Sequence, residues 1–484
     1  MQISLDLKQN FTILMLYFSL KTTFKGELVM SNSTKTFIIV GDIILFIALL
    51  ALLPFETKVN QGLAILAFIA VLWLSEALHV AITAILIPIL AVILGIMPTA
   101  TALKNLADPN IFLFFGAFAL AATMHFQELD KIISQRILSL TKGNFALIVF
   151  FMFFVSAFLS MWISNTATTA MMVSLAFFIL SQLDYEENKN TYVFVLLGIA
   201  FSANIGGIGT LVGTPPNAIV ATSLDITFTE WLKYGIPVVL ILLPLAILIL
   251  YIILKPNLKF QIDMNLEKEI PMDTQKYITL ILFILIINCW VFGSYINPFI
   301  SKLLKLEEEI AYFDSLISLL GIVLLCAFRT VSWRKVQEGT DWGLLILFGS
   351  GFLLSIILKD SGASQIISQY FLDLLVDSNL FLTALLISLF IIFLTEFTSN
   401  IAVAALFVPL FISVAESLGM LPLGLALIIG IGASCAFMLP VATPPNAIVF
   451  GTGYIKQSQM VRVGIYLNIL CSIIIALMAY FFWL

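Results

Sequence analysis

The chain spells nearly the same eight residues twice, as Gly213-Thr214-Pro215-Pro216-Asn217-Ala218-Ile219-Val220 and as Ala442-Thr443-Pro444-Pro445-Asn446-Ala447-Ile448-Val449. Each copy interrupts a strongly apolar run. Two consecutive prolines cannot continue a helix interior, because they lack amide donors and their rings clash with the preceding turn, so each copy predicts a helix broken in its middle. Two further matches run in step with this one. Ser164-Asn165-Thr166-Ala167-Thr168 returns as Ser399-Asn400-Ile401-Ala402-Val403, and Lys131-Ile132-Ile133-Ser134-Gln135 as Gln365-Ile366-Ile367-Ser368-Gln369. The offsets of 229, 235 and 234 residues are nearly constant, which reads as one unit used twice and not as a solenoid.

Hydrophobic residues make up 61% of the 484 and charged residues 11%, with a mean hydropathy of +1.11, so a polytopic all-α membrane protein is expected. A net charge of −5 argues against nucleic acid as a partner. Cys289, Cys326, Cys435 and Cys471 lack metal-ligand spacing, and the chain has only two histidines. No cluster suits enzyme chemistry, so neither enzymatic activity nor an organic cofactor is expected. Met30-Ser31-Asn32-Ser33-Thr34-Lys35 resembles a bacterial start just ahead of the first span. Met30 is therefore the expected native initiator, and N-terminal sequencing of native protein that found Met1 would exclude it.

At about 20 residues per span, spans are expected near 37–54, 61–78, 80–97 and 110–126, followed by an interfacial amphipathic helix over 127–142. Half-length apolar arms at 144–162 and 166–180 meet at Ser164-Asn165-Thr166. That is the shape of a re-entrant hairpin, tolerated only where its tip is buried in protein or faces a water-filled cavity. A broken span over 192–224 and a plain span near 235–254 close the first half. After a polar linker, 255–276, the order repeats: spans near 277–294, 311–328 and 341–358, an amphipathic segment at 362–377, a hairpin meeting at Ser399-Asn400, a broken span at 423–452 and a last span at 459–482. About 11 transmembrane segments result. The expected divisions are an N-terminal segment 1–36, a first span plus first repeat 37–254, the linker, and a second repeat 277–484.

An odd number of full spans per half inverts the second copy. With the N-terminus inside, 17 of the 23 basic residues fall on that side. The expectation is an inner-membrane protein with a cytoplasmic N-terminus and an external C-terminus, its first hairpin entering from the cytoplasm and its second from outside.

Inverted repeats with broken helices and hairpin tips at matched positions point to a transport site near the bilayer midplane. Unwound backbone frees carbonyl oxygens for a hard cation such as Na⁺, while half-helix N-termini offer a positive dipole end to an anion. None of the 23 basic residues lies in the tips or the breaks, so an anion would be held without an arginine clamp. Asn165 and Asn400 could serve as interhelical glue, but their matched places beside two helix breaks favour a ligand role. Gly206, Gly207 and Gly209 fit either close packing or the site. Among the intramembrane acids Asp42, Glu76, Asp314 and Glu396, the last stands next to Thr395. It reads as paired with backbone or a neighbouring helix, with a proton relay as the alternative.

The paired Ser-Asn-Thr-like tips and paired Gly/Ala-Thr-Pro-Pro-Asn breaks resemble the divalent anion:sodium symporter (DASS) family, from about residue 37 onward. The resemblance implies an elevator-type secondary transporter, a homodimer, carrying dicarboxylates or related divalent anions with Na⁺. It implies one cation site built from Ser160, Ser164, Asn165 and the carbonyl of Gly213, and a second from Thr395, Thr398, Asn400 and the carbonyl of Ala442. The substrate would meet Asn165, Thr166, Thr214 and Pro215 from the first half, and Asn400, Ile401, Thr443 and Pro444 from the second. Ile401 departs from the pattern, which ordinarily carries threonine there, and one hydroxyl donor is lost. The expected function is Na⁺-coupled symport of C4-dicarboxylates such as succinate, malate or fumarate. The alternatives are sulfate or another divalent anion, a dicarboxylate exchanger without net Na⁺ flux, and, in a different class, an anion channel.

Overall fold

The computed structural model describes residues 31–262, 270–375 and 379–484. The expected start at Met30, the middle of the 255–276 linker and the end of the 362–377 segment lie outside the described residues.

The first half runs α1 (Asn32–Leu52), α2 (Thr57–Ser75), α3 (Val80–Ile93), a short α4 (Thr99–Lys104), α5 (Pro109–Phe126) and the amphipathic α6 (Leu129–Ser139). The hairpin arms α7 (Phe145–Ser160) and α8 (Asn165–Leu180) follow, then the broken helix α9 (Tyr185–Gly207) and α10 (Pro215–Leu224), and α11 (Phe228–Leu254). The second half repeats that order. It contains α12 (Thr274–Val291), α13 (Gly293–Leu303), α14 (Phe313–Ala327), α15 (Trp333–Gly339), α16 (Trp342–Asp360) and α17 (Ala363–Leu375). The second hairpin is α18 (Leu380–Thr395) with α19 (Asn400–Ser417); α20 (Pro422–Ala433) and α21 (Pro444–Gly451) form the second broken helix, and α22 (Gln457–Met478) ends the bundle. Among the described residues, nine helices are long and apolar enough to cross a membrane, with the hairpin arms and half-helices beside them.

Three helices depart from the hydropathy reading. Short α4, α13 and α15 lie between spans and are too polar or too brief to register as bilayer segments. Two further helices start earlier than apolarity alone indicates. Asp184 caps α9, its carboxylate accepting from Glu187 N at 3.1 Å, so a polar first turn precedes the apolar run and joins it across a kink at Asn188, whose φ of −120° and ψ of 26° are not helical. Thr227 and Glu230 form a reciprocal capping box that starts α11 at Phe228 instead of near residue 235.

The inside of the bundle is α9. Its side chains from Thr191 to Gly207 are all buried, as expected of a helix that is apolar on every face. Lipid offers no hydrophobic drive between helices, so small residues set how closely they pack. A Cβ on Gly206 would lie 2.2 Å from the Ala157 carbonyl oxygen, so α9 meets α7 backbone to backbone. The halves interlock: α8 and α9 pack on α21, while α10 packs on α19 and α20. The two hairpins and the two broken helices therefore form one body.

Candidate functional site

In both hairpin tips the last residue of the first arm holds the tip asparagine, but only the first tip has a side-chain cap, since Ser399 makes no such bond. Ser164 caps α8 by accepting from Ala167 N at 3.2 Å, which leaves Asn165 as the first helical residue. Ser160, the last residue of α7, donates its hydroxyl to Asn165 Oδ1. In the second half Thr395, the last residue of α18, donates to Asn400 Oδ1 at 2.6 Å. A Cβ on Gly207 would lie 2.7 Å from Asn165 Oδ1 and 3.1 Å from the Gly213 carbonyl oxygen, so the tip amide and the break carbonyl converge beside a glycine that has no room for a side chain. Of the three glycines, Gly206 serves packing and Gly207 borders the site. Hydroxyl, amide and peptide oxygens are the hard donors that a Na⁺ ion takes. Thr398 differs from the other members of its set, because its hydroxyl donates back to Leu394 O at 3.1 Å along its own turn.

The asparagine of each Thr-Pro-Pro-Asn motif holds the unwound backbone. Asn217 Nδ2 donates to the carbonyls of Gly207, Ile208 and Thr210 at 2.9, 3.2 and 2.7 Å. Asn446 Nδ2 donates to those of Ala436 and Leu439, both at 3.1 Å. A helix break leaves carbonyls without intrahelical partners, and a fully buried amide supplies them. The motif's own asparagine thus takes up the carbonyls of Gly207, Ile208 and Thr210 in one break and of Ala436 and Leu439 in the other, while the carbonyls expected to meet a cation, those of Gly213 and Ala442, are not among its acceptors.

The second break has a further support. Glu396, 0% exposed, accepts from the backbone N–H groups of Phe437, Met438 and Leu439 at 2.7, 2.8 and 2.9 Å. Asn468 Nδ2 on α22 donates to it at 2.6 Å. This is the backbone and neighbouring-helix pairing expected of it. At the corresponding place in the first half stands Met161, whose carbonyl accepts from the Thr210 hydroxyl.

Between tips and breaks lies a cavity of about 700 Å³. Asn165, Thr166, Thr214 and Pro215 line it from one half, and Asn400, Ile401, Thr443 and Pro444 from the other. Ser164, Gly213 and Ala442 reach it too, whereas Ser160, Thr395 and Thr398 stand outside the lining. Four helices begin at its wall, α8 at Asn165, α10 at Pro215, α19 at Asn400 and α21 at Pro444, so four positive dipole ends converge there. No lysine or arginine occurs among the described lining residues. The rim is formed by Glu76, His125, Phe126 and Asp341, at the ends of α2, α5 and α16 on one side of the bundle.

Sequence reasoning missed Asn204. It is buried on α9, lines the cavity, and donates through Nδ2 to Thr443 Oγ1 at 3.0 Å and Asn446 Oδ1 at 3.4 Å. A lone amide within the apolar stretch from Thr191 to Gly207 was the available signal.

A family model described as citrate transporter (CitMHS) matches residues 70–430. An uncharacterized transporter of Haemophilus influenzae is 58% identical over 95% of this chain and 100% of its own length. The sodium-dependent dicarboxylate transporter SdcS of Staphylococcus saprophyticus is 31% identical over 92% of this chain and 90% of its own. Among solved structures, the Alcanivorax borkumensis YdaH transporter aligns with a TM-score of 0.53 over 78% of this chain and 86% of that one, at 12% identity, a likeness of fold alone. With tips, breaks and matches extending over most of its length, the chain belongs to the divalent anion:sodium symporter family and is a multi-pass membrane transporter, not an enzyme.

Proposed function

We propose that the protein is a Na⁺-coupled symporter of C4-dicarboxylates such as succinate, malate or fumarate. The observation that carries this reading is the convergence of four helix N-termini on a cavity whose described lining has no lysine or arginine. Such a site attracts an anion by dipoles and neutral donors, and cations bound behind the tips would supply the remaining charge. The oxygens of Ser160, Asn165 and Gly213 form one candidate Na⁺ set, with Ser164 at the same tip; Thr395, Asn400 and Ala442 form the other, with Thr398 beside them. The sodium-dependent dicarboxylate relative supports the choice of ion and substrate.

The body of hairpins and broken helices moves past a scaffold of the remaining spans, and a homodimer of scaffolds anchors it. Phe126 of the cavity lining carries Lys335 over its ring at 4.0 Å, and the charge bias favours the cytoplasm for that side, which supports an inward-facing conformation. Ile401 keeps sulfate or another divalent anion, and exchange, as the competing readings.

The test is uptake of labelled succinate into proteoliposomes under Na⁺, K⁺ or proton gradients, competed by sulfate and citrate. Na⁺-stimulated uptake blocked by excess dicarboxylate is expected. Uptake indifferent to Na⁺ removes symport, counterflow alone leaves exchange, and currents far above carrier rates indicate a channel.

A further inference from the structure

The two breaks open with Thr-Pro-Pro, and proline has no N–H. Helices α10 and α21 therefore point dipole ends at the cavity while offering no backbone donor at their first two positions. An acidic group seated there must be met by the threonine hydroxyl. A hydroxyl is ambivalent, with one donor and two acceptor sites.

In the second half that ambivalence is removed. Asn446 Nδ2 is committed to two carbonyls, which turns its Oδ1 toward Asn204, 3.4 Å away. Asn204 must then present its Nδ2 in that direction, and the same Nδ2 reaches Thr443 Oγ1 at 3.0 Å. The Asn446 backbone N–H reaches Thr443 Oγ1 as well, at 3.2 Å. Both acceptor positions of Thr443 are filled, and its own proton is left for the cavity. No such arrangement holds Thr214, whose side chain makes no cap bond. At the place in the second half that matches Asn204 stands Ala433, so the device is built once.

We infer that Asn204 is a positioning residue that holds Thr443 as an obligate hydroxyl donor to one acidic group of the transported anion. The inference rests on the transport reading above and deepens it: this end of the site takes carboxylate or other oxyanion acceptors and rejects groups that donate. It also assigns a source for the donor that Ile401 cannot provide. A residue of the first half thereby shapes a subsite of the second.

Initial rates in proteoliposomes test it, starting with wild type on succinate, citrate and sulfate. Wild type that takes up none of them refutes the transport reading and this inference together. On an anion that is taken up, Asn204→Ala raises KM about 10- to 100-fold, the loss of one hydrogen bond to a charged group, with Vmax largely retained and Na⁺ dependence unchanged. Asn204→Asp, nearly equal in volume, draws the Thr443 proton to itself and raises KM further; it keeps the experiment readable if the alanine variant does not fold. Thr443→Val raises KM, and adding Asn204→Ala to it brings no further loss. A wild-type KM in Asn204→Ala, or losses that multiply in the double variant, overturn the inference and leave the transport reading standing.

Discussion

Replacing Glu396 by glutamine removes one acceptor oxygen from a fully buried group and puts two N–H donors in its place. Four donors point at the carboxylate, from Phe437, Met438, Leu439 and Asn468, and its two oxygens offer about four lone-pair sites to receive them. Oε1 receives three of them, from Phe437, Met438 and Asn468, and Oε2 the one from Leu439, so a glutamine with its oxygen at the Oε1 position leaves its amide facing the Leu439 N–H. One buried N–H loses its acceptor, at about 1–3 kcal/mol, and the other three bonds lose the charge that strengthened them, so the variant is destabilised by roughly 2–5 kcal/mol. Thermal unfolding of purified protein in detergent, with and without Na⁺, reads this directly. The melting temperature of Glu396→Gln falls by about 2–5 °C, because in a chain this long each kcal/mol is worth only about 1 °C. The stabilisation by Na⁺ shrinks too, because the braced segment Phe437 to Leu439 leads into the Ala442 carbonyl. Glu396→Met, which installs the residue found in the first half, does not rescue it, since Met161 works there through its carbonyl. A variant that melts with wild type and keeps its full Na⁺ shift would refute the argument that this carboxylate braces the second break.

Other substitutions separate the two halves. Gly213→Ala places a Cβ 2.3 Å from the Gly207 carbonyl oxygen; such overpacking costs about 1–3 kcal/mol, so Na⁺ affinity measured by uptake falls about 10-fold or more, whereas Ala442→Gly leaves it near wild type. Asn165→Ala and Asn400→Ala each remove a tip amide and abolish Na⁺-driven uptake while the protein still elutes as a folded species; full uptake in either would remove the candidate cation sites. Ile401→Thr returns a hydroxyl to the cavity wall and lowers KM for succinate, by about 10-fold for a donor to a charged group; an unchanged KM would place the substrate away from that tip.

Sequence carried the architecture because a bilayer imposes it. Long apolar stretches must become spans, and a double proline must break one wherever it falls. The eight residues expected to face the substrate, from Asn165 to Pro444, line one cavity because repeat symmetry brings tips and breaks together. What stayed hidden was set by contacts that no local pattern encodes. Asn204 finds Thr443 across 239 residues and the interface between halves, and Asn468 finds Glu396 across 72. Capping chemistry moved the starts of α9 and α11 ahead of their apolar runs, since a side-chain acceptor at the membrane surface extends a helix whose extra turn need not be apolar. The role of Asn217 and Asn446 was equally out of reach, because an asparagine after two prolines reads as readily for a ligand as for a staple.

The most direct measurement of the central claim is simultaneous flux of ²²Na⁺ and labelled succinate into proteoliposomes holding the purified protein. The account predicts that each label enters only when the other species is present, in a fixed ratio. If that ratio carries net positive charge inward, each such charge adds about 2.3 kcal/mol of drive per 100 mV. Succinate entry with no accompanying ²²Na⁺, or ²²Na⁺ entry indifferent to succinate, would contradict it.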